Sequence, residues 1–234
     1  MKKHLSLLIY LVVLLCIGCG QKSTIPTNVS GLVKELGSEG LADVHVCLAD
    51  SDELCTHTGA DGMYSLQGPP AESNVSFTVT KDGYLGGAIS VTTGLEPLEI
   101  PVVSMAGEVI LDLQMGILNV DAMENTGQIA FSISNGINGD GVNIPNIQTV
   151  LEPASGSGPF YSNDSGLPDL ALTQTSANGG GVYVNVEPGI YTLQHVNISD
   201  NCTPMLGWGP AAGPSFQVFE NRVTYVRIEC LVQD

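Results

Sequence analysis

Apolar and polar residues exchange places at every second position in short runs along most of this chain, and few segments space their apolar residues by three and four. Period-two alternation between turn residues predicts half-buried β-strands rather than helices. Residues 29–33 open the series, and Val44, Val46 and Leu48 then alternate with His45, Cys47 and Ala49, so that one face is apolar. Leu54, Thr56 and Thr58 hold the inward parity of the next strand, Asp61-Gly62 supplies a turn with positive φ, and Tyr64 and Leu66 return to a core. Val75, Phe77 and Val79 form a strand that a turn at Lys81-Asp82-Gly83-Tyr84 closes, and residues 88–91 and 98–103 complete the set.

The alternation lapses over residues 105–127, where residues 108–115 carry apolar positions at the spacing of a short helix, and this stretch reads as a connector. The second half then repeats the logic of the first. Residues 128–133 form a strand, residues 142–151 lead into another, and residues 173–183 echo the earlier turn. A strand pair at residues 184–193 is built around Pro188-Gly189 with Tyr191 following. Two long Gly- and Pro-rich insertions, residues 154–168 and 203–214, set the second half apart, and the latter carries Trp208.

Three runs in the first half bear on family. They are Gly40-Leu41-Ala42-Asp43-Val44-His45-Val46, then Thr58-Gly59-Ala60-Asp61-Gly62-Met63-Tyr64-Ser65-Leu66, then Lys81-Asp82-Gly83-Tyr84. In this order and spacing they resemble the carboxypeptidase regulatory-like domain over residues 28–104. The resemblance implies a seven-stranded, transthyretin-like (Ig-like) β-sandwich, and the repeated pattern implies a second such copy over residues 128–234. The expected architecture is thus all-β, two tandem seven-stranded sandwiches after a signal peptide. The resemblance implies accessory, adhesive or structural roles and brings no catalytic residues with it.

Ahead of the strands, Lys2 and Lys3 precede an apolar run at residues 5–17 that is too short for a stable membrane anchor. It ends in Cys16-Ile17-Gly18-Cys19 and turns polar at once with Gly20-Gln21-Lys22-Ser23. This resembles a bacterial lipobox, whose cysteine is diacylated before cleavage on its amino side, although Cys16 stands where the box usually has leucine. The resemblance implies a signal peptide at residues 1–18, a lipid on Cys19 that engages the membrane, and a linker over residues 19–27. It also implies a cell-envelope location, with Gly20 permitting transfer to an outer membrane where the cell has one. Ordinary secretory cleavage would leave a soluble protein instead, but no A-x-A-type site is evident.

Charge narrows the partners. The formal charge is −17, and losing Lys2 and Lys3 leaves five basic residues against 24 acidic ones, a charge of −19. Such a surface repels phosphate backbones and excludes nucleic acid, while the scattered acids keep the protein soluble. Beyond Cys16 and Cys19, the cysteines are Cys47, Cys55, Cys202 and Cys230, two in each half. In an oxidising compartment this predicts one disulfide per domain, Cys47 with Cys55 and Cys202 with Cys230.

The sharpest local feature is His45-Val46-Cys47 facing Cys55-Thr56-His57. If Cys47 lies opposite Cys55 in an antiparallel pair, His45 lies opposite His57 and all four side chains leave one face. Two thiolates and two imidazoles make a sensible zinc or copper set, and a cross-strand disulfide beside a solvated histidine pair is the other reading. Phe160 and Tyr161 in one long loop, and Trp208 in the other, either form a recognition surface for an envelope polysaccharide or protein or cap the sandwich. Neither H-x-x-E nor H-E-x-x-H occurs, the remaining histidines are His4 and His195, and the glycine runs lack the Lys-Ser/Thr of a phosphate loop. Asp50, Asp52 and Glu53 fit a solvated hairpin loop. The sequence therefore points to a non-catalytic, lipid-anchored binding or spacer module without a cofactor. Its alternatives are a glycan-binding lipoprotein using the Trp208 loop and a metal-binding protein using the His45 face.

Overall fold

Period two becomes burial strand by strand. In β1 (Pro26–Glu35) every second residue from Thr27 to Val33 is buried, which places Val29 and Val33 in the core. A computed structural model describes residues 26–37, 39–49, 51, 53–135, 141–196, 202–209 and 214–230. The expected signal peptide and Cys19, and the turn acids Asp50 and Asp52, lie outside the described residues.

The first half continues with β2 (His45–Leu48), β3 (Cys55–His57), β4 (Met63–Pro70), β5 (Asn74–Thr80), β6 (Gly86–Thr92) and β7 (Leu98–Met105). A three-stranded sheet in the order β4-β1-β7, with β7 parallel to β1, faces strands ordered β6-β5-β2-β3. Val46, Phe77, Ile89 and Ile100 fill the space between them with Val29 and Val33. Helix α1 (Glu108–Leu118) follows, three residues longer than the spacing predicts. Asn119 ends it in the left-handed conformation at φ 51°, its N–H returning to the Gly116 and Met115 carbonyls.

The second half holds β8 (Gly127–Ser134), β9 (Gln148–Glu152), β10 (Ser157–Tyr161), β11 (Gly180–Val186), β12 (Gly189–Val196), β13 (Cys202–Pro204), β14 (Phe216–Val218) and β15 (Arg222–Cys230). Strands β11-β8-β15 repeat β4-β1-β7, including the parallel last pair, and β14-β12-β9 repeat β6-β5-β2.

The duplication extends to single hydrogen bonds at one corner. Buried Thr58 accepts from the Val44 N–H (2.9 Å) and donates to the Leu41 carbonyl (2.6 Å). Buried Thr175 accepts from the Ile147 N–H (3.0 Å) and donates to the Ile144 carbonyl (2.8 Å). Asp43 and Asn146 both take positive φ beside it, at 55° and 66°, and Gly62 and Gly179 both accept a backbone bond from the opening strand of their half, from Val33 of β1 and Ile133 of β8.

Three expectations change. The second half has eight strands among the described residues rather than seven. The supposed insertion at residues 154–168 contains β10, whose Gly158 and Pro159 hide its alternation. The two sandwiches are also not merely tandem. β15 pairs in parallel with β6, Arg222 with Gly86 and Thr224 with Ala88, so a nine-stranded sheet runs through both halves and sets them side by side.

Candidate functional site

The β2–β3 hairpin carries the first candidate residues. Its register sets His45 opposite His57 and Cys47 opposite Cys55. Backbone bonds fall at the neighbouring positions, Thr58 N–H to Val44 and Leu48 N–H to Leu54, so both His45/His57 and Cys47/Cys55 are close, non-hydrogen-bonded pairs. Cys47 and Cys55 form a disulfide. The two imidazole centroids stand 4.8 Å apart with their planes tilted by 30°, and the His45 nitrogens lie 3.4 and 3.6 Å from Cys47 Sγ. The disulfide removes both thiolates, so the expected ligand set of His45, Cys47, Cys55 and His57 does not exist in this oxidised form. What remains is a histidine pair on a stapled hairpin.

That pair borders a cleft of about 740 Å³ whose wall comes from both halves of the molecule: Asp43, Lys81 and Asp82 from the first, and from the second Glu220 in the turn before β15 and Arg222 at the start of β15. Lys81 Nζ donates to the Asp43 carbonyl at 3.5 Å, and Arg222 donates to the Glu220 carbonyl at 3.5 Å. The contribution of Glu220 and Arg222 was invisible in the sequence, because it depends on the β15–β6 pairing.

The cleft has a definite position. Pro26 begins β1 beside Glu96, whose carbonyl accepts from Thr27 Oγ1, while Glu35 at the other end of β1 pairs with Met105 of β7. Tyr84 bridges to Gly107 at that second end. The cleft therefore opens about 30 Å from the point where the chain enters the sandwich, at 3.3 Å of rise per strand residue.

The aromatic candidates pack inward. Trp208 is 8% exposed, crosses Phe216 edge-on at 5.2 Å, and gives its indole N–H to the Arg227 carbonyl at 2.9 Å. Tyr161 is 2% exposed, and its hydroxyl accepts from the Thr149 N–H at 2.9 Å. Phe160 packs elsewhere, on the small cluster of Met115, Leu118 and Val184 under α1. The three rings thus serve two separate cores and form no shared exposed platform, which matches the capping alternative and not a recognition surface built from Phe160, Tyr161 and Trp208. Burial drove this outcome, since a ring with a satisfied polar tip is more stable packed than solvated. Cys202 and Cys230 form the second disulfide and fasten β13 to the end of β15.

The site that the sequence did not disclose is the junction. Gly207 donates its N–H to the Ser90 carbonyl at 2.9 Å, and the Tyr225 hydroxyl donates to the Ser104 carbonyl. Leu206 and Tyr225, both from the second half, pack on the first-half core. Gly87 admits this contact, since a Cβ there would stand 2.7 Å from Val79 Cγ2 and 3.0 Å from the Tyr225 ring. Burial pushes the Tyr225 phenol above its ordinary pKa, as it does that of Tyr64, and raises Tyr183 to about 12.

No family model matches the chain, and no curated protein matches it. Among solved structures, the chain is similar to the Bacillus anthracis TIE protein at 12% identity and a TM-score of 0.27, covering 88% of this chain and 34% of that one. It is similar to a streptococcal ancillary pilin at 13% identity and a TM-score of 0.25, covering 88% of this chain and 63% of that one. It is similar to GBS52, the minor pilin of Streptococcus agalactiae, at 9% identity and a TM-score of 0.30, covering 89% and 98%. The chain thus spans about a third of the TIE protein and under two thirds of the ancillary pilin.

Proposed function

We propose that this chain is a non-catalytic, lipid-anchored envelope protein whose two sandwiches act as one rigid binding or spacer module. The observation that carries the reading is the parallel pairing of β15 with β6, which makes one sheet of strands from both halves. A module that holds something at a fixed distance needs this kind of stiffness, because small interfaces between tandem domains ordinarily leave them free to move. The three-and-four division of the first half between its two sheets supports a carboxypeptidase regulatory-like unit, and the shared corner supports its duplication.

Lipid on Cys19 would tether the protein through residues 20–25, at the end of β1 opposite the cleft. The membrane would then sit below the first sandwich and the cleft would face away from it. The acidic surface, formally −19 after loss of the leader, suits a domain held in solvent beside a bilayer.

The test is expression in a bacterium with a lipoprotein pathway, comparing the wild type with Cys19→Ser. The wild type is expected in the membrane fraction with a diacyl or triacyl mass on Cys19, and the variant is expected in soluble form without it. Equal partitioning of the two, or an unacylated wild-type mass, would overturn the anchor.

A further inference from the structure

We propose that His45 and His57 form a binding site for a transition-metal dication such as Cu²⁺ or Zn²⁺ at the mouth of the cleft, with Asp43 lining the same cleft as a neighbouring charge and the Cys47–Cys55 disulfide as the site's staple rather than its ligand. Imidazole suits these metals, and hard cations prefer oxygen alone.

The histidines occupy a close, non-hydrogen-bonded cross-strand pair with ring centroids 4.8 Å apart. That spacing lets two imidazoles turn onto one ion at about 2.0–2.1 Å each with only side-chain rotation. The next pair on the same face of the two strands is the disulfide, which holds the register and limits the ordering that an ion would have to impose. Asp43 lines the same cleft, and its backbone carbonyl receives Lys81 Nζ at 3.5 Å.

The duplicated corner supplies an internal comparison. Thr58 and Thr175 make the same two hydrogen bonds, which aligns Asp43 with Asn146, His45 with Gln148 and His57 with Gln174. In the second copy Gln174 Nε2 donates to Asn146 Oδ1 at 2.7 Å, an amide-to-amide contact. The corner therefore folds with amides at all three positions. Only the first copy replaces all three amides with groups that ligate metal, so the requirements of the corner do not explain the residues found there.

The experiment uses the mature chain with both disulfides intact, titrated calorimetrically with Cu²⁺ and with Zn²⁺, together with the electron paramagnetic resonance spectrum of the Cu²⁺-loaded protein. The expected result is about one equivalent bound, with nitrogen superhyperfine structure on copper. His45→Gln and His57→Gln, which install the residues of the second copy, are expected to weaken binding by about tenfold or more, whereas His195→Gln leaves it unchanged. Asp43→Asn is expected to weaken it less than either. The proposal is overturned by absence of binding, by binding that survives both histidine substitutions, by a copper spectrum without nitrogen ligation, or by binding that appears only after the disulfide is reduced. The spectrum of the wild type decides the question even if a variant fails to fold.

Discussion

Tyr225 belongs to β15 of the second half, yet its hydroxyl is spent on the Ser104 carbonyl of β7 and its ring on the core of the first half. A phenol whose folded pKa is raised favours the folded state while it is neutral. That stability is complete below the unfolded value near pH 10 and is lost as pH rises through the folded value. Tyr64 and Tyr183 act in the same direction, Tyr183 with a folded value of about 12. Unfolding free energy is therefore expected to fall steeply above pH ~10, with a shallower fall in Tyr225→Phe, which at neutral pH loses about 1 kcal/mol with its hydrogen bond. Denaturant titrations across this range check it, and identical alkaline slopes in both proteins would deny Tyr225 the role. Single residues were unevenly legible. The pairing of His45 with His57 followed from the cysteine positions, because register is a property of neighbouring strands. The burial of Trp208 did not, because a Gly/Pro-rich loop looks the same whether its ring points outward or, as here, onto Phe216.

Among the elements, α1 is the clearest test of packing. Met115 and Leu118 are buried against Val184, whereas Val109 and Leu113 are 79% and 56% exposed. Leu118→Ala is expected to destabilise by about 2–5 kcal/mol, and Leu113→Lys by no more than about 0.5 kcal/mol. Thermal or denaturant melts of both variants check the pair, and comparable losses would mean that the helix packs through its other face. Long alternating strands such as β1 and β5 could be read directly, since each buries alternate residues. The three-residue strands β13 and β14 could not, because so few positions carry no readable period, and β10 was masked by Gly158 and Pro159.

At the scale of the whole molecule, local pattern has least to say. The repeat of β4-β1-β7 as β11-β8-β15 was visible as an echo of turns and apolar runs. The joining of the copies was not, because β15 meets β6 across most of the chain's length and no turn chemistry signals it. The small residues Gly86, Gly87 and Ala88 are the local trace of that contact, and they are equally at home in an edge strand. The proposed module would turn as one body, with its proposed tether at one end of β1 and the cleft at the other. Residual dipolar couplings of backbone amides, measured on the mature chain with Cys19→Ser, test this most directly. A single alignment tensor fitting strands from both halves is the predicted result, and two different tensors, one for β1–β7 and one for β8–β15, would contradict it.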